Sequence, residues 1–107
     1  MINTFIEINW HDAILIKVEE IINERELRWY LKINISTDFQ DSKFIDKIVV
    51  FNDVNKYSVN EGSMSNYSTI LDAEIRHHET YDWNGYELIF ETNAGKRIVY
   101  ASGFFLV

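Results

Sequence analysis

Leu27-Arg28-Trp29-Tyr30-Leu31-Lys32-Ile33-Asn34-Ile35 alternates without a break. Leu27, Trp29, Leu31, Ile33 and Ile35 fall on one side, and Arg28, Tyr30, Lys32 and Asn34 on the other. A period of two is the pattern of a strand with one dry and one wet face. It sets the class of the chain as β-rich, and the rest is read outward from it.

Upstream, Asn23-Glu24-Arg25-Glu26 makes a hairpin loop into this strand. The segment before it, Ala13 to Ile22, reads two ways. Ile14, Ile16, Val18 and Ile22 suit a strand; Ile14, Leu15, Val18, Ile21 and Ile22 suit a helical stripe that Asp12 would cap. The high β-branched content and the adjoining loop select the strand. A short first strand is expected over Phe5–Asn9, broken by Trp10-His11-Asp12. Downstream, Thr37 to Lys43 is polar and loop-like, and Asp46 to Asn52 reads as a buried strand. A turn beginning at Asp53 then leads into an edge strand ending near Val59. Asn60 to Ser68 reads as a mobile loop. Ile70 to Tyr81 returns to alternation through Leu71, Ala73 and Ile75.

Asn84-Gly85 is the strongest turn signal, suited to a type I′ hairpin in which both central residues take positive φ. Such a turn pairs Trp83 with Tyr86, Tyr81 with Leu88, Glu79 with Phe90 and His77 with Thr92. On the opposite face Asp82 meets Glu87, Thr80 meets Ile89 and His78 meets Glu91, with Arg76 and Glu74 beyond. That second face is wet and mostly acidic. Asp82 opposite Glu87 is a mildly repulsive pair, expected to be tolerated because both tips lie near the exposed turn; the alternative is that a basic partner relieves it. Asn93-Ala94-Gly95 reads as a three-residue loop with Gly95 left-handed, and Gly103 as a bulge or bend before the last strand.

The 107 residues are 47% apolar and 15% aromatic, enough for one domain with one core and against global disorder. The chain has no cysteine, so disulfides and thiolate zinc sites are excluded within it. No secretory signal and no stretch long enough to span a membrane is read, and the expected address is the cytoplasm. Ten basic against seventeen acidic residues give a net charge of −7, and Lys96-Arg97 is the one adjacent basic pair. Nucleic acid and membrane are therefore not expected partners, because phosphate binding requires a gathered basic patch. A basic protein suits this charge better, although acidity also serves solubility.

No catalytic set emerges. His77-His78 would project to opposite faces of a strand and cannot chelate one ion, so no metal site is expected. His11-Asp12 lacks a nucleophile, and reads as a pair hydrogen-bonded to backbone where the chain turns, beside Trp10 at the core edge. The carboxylate pairs Glu19-Glu20 and Glu24…Glu26 read as solvated faces and loop tips. No phosphate-cradling loop is present, and no cofactor is expected. Trp29, Tyr30, Trp83 and Tyr86 read first as packing residues.

Trp10-His11-Asp12, two β segments, Val50-Phe51-Asn52-Asp53-Val54 and Ile70-Leu71-Asp72-Ala73 follow one another in this order. The layout resembles small all-β bacterial proteins whose N-terminal strand enters through a Trp-His-Asp-like turn. Some of these are grouped with immunity proteins of polymorphic toxin systems. The resemblance implies a cytoplasmic protein that binds and neutralises a cognate toxin, with no catalytic residues to carry over. The expected architecture is all-β, or β-dominated α+β, with six to eight antiparallel strands in a sandwich or partly closed barrel. The expected role is non-enzymatic protein binding, through Glu74, His78, Asp82, Trp83, Glu87 and Glu91. The alternative is a small-ligand or accessory β domain with a pocket between sheets. Oligomeric state is not legible.

Overall fold

The computed structural model describes residues 5, 7–36, 43–62 and 68–107. In chain order the strands are β1 (Ile14–Ile21), β2 (Glu26–Asn34), β3 (Phe44–Asn52), β4 (Lys56–Glu61), β5 (Ser68–Glu79), β6 (Asn84–Thr92), β7 (Gly95–Ala101) and β8 (Gly103–Leu106). They form one antiparallel sheet in the order β4-β7-β6-β5-β1-β2-β3-β8. The sheet folds over on itself into two facing layers and is not closed into a barrel. Among the described residues β1 and β5 join the layers through two residue pairs, Ile14 with Thr69 and Leu15 with Ser68. The all-β, antiparallel architecture expected from the alternation is the one observed.

Leu27, Trp29, Leu31 and Ile33 are buried, as the period of two requires. Ile35 departs from the pattern: it lies past the end of β2 and is 53% exposed. Facing them from the other layer are Leu88, Phe90 and Val99, all fully buried. The Phe90 ring lies 4.6 Å from Trp29 and 5.1 Å from Trp10, and also contacts Phe5 and Phe51. Aromatic volume from both layers thus fills the interior at side-chain packing distance.

Ala13–Ile22 is strand, not helix, over Ile14–Ile21, and a short 3-10 turn with Arg25 at φ 53 closes the β1–β2 hairpin. Ile16 is the extra residue of a bulge against β2. The expected first strand is not formed by Phe5 and Glu7–Asn9. Phe5 and Ile8 are instead buried against the core, and Trp10 donates its indole N–H to the Phe5 carbonyl. Burial of these side chains is gained without ladder pairing. Of the expected loops, residues 37–42 and 63–67 lie outside the described residues; Asn60 and Glu61 belong to β4 and Ser68 to β5.

The β5–β6 hairpin corrects the expected register. Tyr86 pairs with His77, not Trp83, and Glu79 pairs with Asn84. The connection is Thr80-Tyr81-Asp82-Trp83, closed by the Thr80 N–H on the Trp83 carbonyl at 2.7 Å. Neither Asn84 nor Gly85 has positive φ. The physical reason is burial. An Asn84-Gly85 turn would set Glu79 against fully buried Phe90, whereas the observed register sets Ala73 there and Ile75 against Leu88. Leu71 also departs from expectation: a bulge between Ile70 and Asp72 turns it outward, 46% exposed, while Ile70 is fully buried. The β6–β7 loop is two residues, Asn93-Ala94, because Gly95 pairs with Thr92 and opens β7. The bend expected at Gly103 falls one residue earlier, at Ser102.

Candidate functional site

Alternation along β5 and β6 puts Asp72, Glu74, Arg76 and His78 on the outer face beside Glu87, Ile89 and Glu91. β7 adds Lys96, Ile98 and Tyr100 to the same face. Of the six residues singled out in sequence, the structure brings three into contact: His78, Trp83 and Glu87. His78 Nε2 lies 3.0 Å from Glu87 Oε1, and the Tyr100 hydroxyl donates to Glu87 Oε2 at 2.8 Å. The Trp83 indole lies over this group, with ring centroids 6.2 Å from His78 and 6.1 Å from Tyr100.

Gly85 makes that placement feasible. A β-carbon at Gly85 would stand 2.5 Å from Trp83 Cζ2 and 2.8 Å from the Ala101 carbonyl oxygen. The Trp83 ring therefore occupies the space a side chain would fill.

Glu74, Asp82 and Glu91 surround this group without joining it. Glu74 pairs with Arg76 at 2.9 Å. Glu91 is exposed, opposite Asp72 on one side and Lys96 on the other. Asp82 is at the hairpin tip within 3.1 Å of the Thr80 hydroxyl. The expected Asp82–Glu87 repulsion is absent, because Arg76 faces Glu87 in the ladder. The expected His78–Glu91 pairing is replaced by His78–Glu87 for the same reason. His77, on the inner face, instead contacts Asn84 Oδ1 at 2.8 Å and stacks near Tyr86.

Glu87 is the electrostatic centre of the face. Burial alone would raise its carboxyl pKa; hydrogen bonds from Tyr100 and His78, and the charges of His78 and Arg76, outweigh this and lower it. The Tyr100 hydroxyl is held above its ordinary value, first by its hydrogen bond to Glu87 and then by burial. Tyr100 was not found in sequence, since nothing in the order of residues brings β7 beside His78. Arg76 was visible there, as the basic residue alternating between Glu74 and His78.

A second polar cluster faces inward. Glu61 accepts from Arg97 Nη2 and from the Thr92 hydroxyl at 2.6 Å, and Arg97 Nη1 donates to the Tyr57 hydroxyl at 2.7 Å. Burial would raise the Glu61 carboxyl, but Arg97, Thr92 and Ser68 together lower it. Burial pushes the Tyr57 hydroxyl up. Arg97 Nε and Trp29 Nε1 are buried donors with no acceptor among the described residues. The cluster presents no open nucleophile or acid to a substrate: its carboxylate is occupied on both oxygens.

His11 and Asp12 lie 3.5 Å apart at the surface, with side chains 69% and 59% exposed. His11 Nδ1 donates to the Leu71 carbonyl, and the Asp12 N–H to that of Ile70. This is the backbone-bonding role expected where the chain turns, with Asp12 at φ 65. No group of three or more potential metal ligands occurs among the described residues. No helix among them is long and apolar enough to cross a membrane. No protein-family model matches the chain, and no curated protein matches it.

Proposed function

We propose that this chain is a non-enzymatic protein-binding module whose outer β5–β6 face captures a basic protein. Its concrete form is an immunity-type inhibitor that binds and neutralises a bacterial toxin in the cytoplasm. The observation that carries the reading is Trp83. A large aromatic ring rests over Gly85 on the outside of the sheet, with Asp72, Glu74, Asp82, Glu87 and Glu91 on the same face or at its tip. An aromatic anchor among like charges has the composition of a binding hot spot with an electrostatic surround. The carboxylates would speed encounter with a basic surface, and the indole would supply affinity on desolvation. The filled interior, where Trp29, Phe51 and Phe90 touch across the layers, favours a surface role over a pocket between sheets.

Co-expression with the product of the neighbouring gene tests the reading. The expected result is rescue of growth together with co-purification. Trp83→Ala should weaken the complex by roughly 30-fold or more, the size of a hot-spot loss. Glu74→Lys combined with Glu91→Lys should slow association and flatten its salt dependence. Failure of both rescue and co-purification removes the proposal.

A further inference from the structure

The two edges of the sheet are built differently. β4, at one edge, carries Lys56 at its start and Glu61 at its end, with Ser58 and Asn60 between. Charged and polar side chains of this kind discourage a further strand. β8, at the other edge, is Gly103-Phe104-Phe105-Leu106, followed by Val107, with no charge, proline or bulge. Phe105 is 49% exposed, Leu106 37% and Val107 63%. Ile35 and Phe44 at the ends of the neighbouring strands add to the exposed apolar surface of this layer.

The ladder shows which backbone groups this edge offers. Val107 and Ile48 exchange both of their hydrogen bonds. In an antiparallel ladder such pairs alternate, so Phe105, opposite Val50, also bonds inward. The N–H and C=O of Phe104 and Leu106 therefore point away from β3. Among the described residues no hydrogen bond reaches them from outside the sheet.

We infer that a second copy of this chain docks here, β8 against β8 in antiparallel register, making a two-fold symmetric dimer. The arrangement of free groups is self-complementary about Phe105. A two-fold axis at that residue sets Phe104 of each copy against Leu106 of the other and closes four backbone hydrogen bonds. Phe105 then meets Phe105 of the second copy on the outer face, a cross-strand aromatic pair. Charge does not bar this occupant. Two chains of net charge −7 repel through most surfaces, and above all through the acidic β5–β6 face. The β8 edge brings no like charges of its own strand together. The proposal leaves Trp83 and its carboxylates free, since they lie in the other layer.

Sedimentation and light scattering of the full chain at high micromolar concentration read the outcome. The expected mass is twice 12.7 kDa, and Phe105→Lys, which installs a charge at the axis, should return the monomer. The chain has no cysteine, which permits a second test independent of that variant's folding. Directly opposed residues at a non-hydrogen-bonded position have Cα atoms about 4.5 Å apart, within disulfide reach. Phe105→Cys should therefore oxidise to a covalent dimer at least about tenfold faster than Val59→Cys, a site of equal exposure (50%) on the protected edge. A monomeric wild type, equal cross-linking rates, or a dimer that survives Phe105→Lys would each overturn the inference. So would association of β8 with a different protein's strand in place of its own copy.

Discussion

Trp83 owes its position to what Gly85 lacks. The clash a methyl group would make involves backbone, the Ala101 carbonyl, as well as the indole. Gly85→Ala should therefore destabilise by about 1–3 kcal/mol and lift Trp83 off the sheet. Thermal melts and a red shift of tryptophan emission check both effects. Glu61 makes a different kind of prediction. Its carboxyl titrates below the ordinary value in the folded chain, so the unfolded chain binds more protons in acid. The stability it contributes is complete above the ordinary value and is lost as pH falls through the depressed folded one. Glu61→Gln should flatten the stability profile below about pH 4. It also strands the Arg97 guanidinium, whose side chain is only 14% exposed, at an expected loss of roughly 3 kcal/mol near neutrality. Urea titrations across the acid range measure both.

At the scale of elements, the β5–β6 hairpin shows where sequence reading succeeds and where it fails. Alternation is local, so β2 and the central part of β5 were legible from it; β3 showed as an apolar run, and β1, which suits a helical stripe as well, was resolved only by its β-branched content and the adjoining loop. Register is not local. The Asn84-Gly85 signal was outcompeted by the match of Ala73 and Ile75 to Phe90 and Leu88 across the hairpin. The partner of Tyr86 moved from Trp83 to His77, an even number of residues, so the side chains from Ala73 to His78 kept their faces, while Trp83, outside the ladder, moved from the expected core side to the outer face. For that reason His78 and Glu87 were grouped correctly even though their neighbours were wrong. Leu71 was misplaced because a bulge, unlike a turn, leaves no composition signal. Tyr100 reaches the site through a third strand, a relation that residue order does not encode. The turn assignment has its own test. Thr80 accepts the Trp83 N–H on its hydroxyl at 3.1 Å, so Thr80→Val should cost about 1 kcal/mol. Asn84→Ala, outside the turn, removes only a solvent-exposed hydrogen bond to His77 and should stay within about 0.5 kcal/mol. Equal losses at the two positions would contradict the register.

For the whole molecule, one core serves both layers, in a body of 49 × 32 × 22 Å. Among the described residues Phe90, of β6, meets four aromatic rings: Phe5 and Trp10 of the N-terminal segment, Trp29 of β2 and Phe51 of β3. Phe90→Ala should cost about 3–5 kcal/mol and lower the stability of the two layers together, seen as one shared transition by circular dichroism and tryptophan fluorescence. The chain crosses between the ends of the sheet twice, from β3 to β4 and from β7 to β8. Each half of the polypeptide thereby lends a ribbon to the other: among the described residues β4 is laddered to β7 alone, and β8 to β3 alone. Cleavage between β4 and β5 would leave two pieces that each hold a hostage from the opposite side. Neither should fold by itself, yet mixing them should regenerate the native spectrum, because each piece carries the strand that completes the other's ladder.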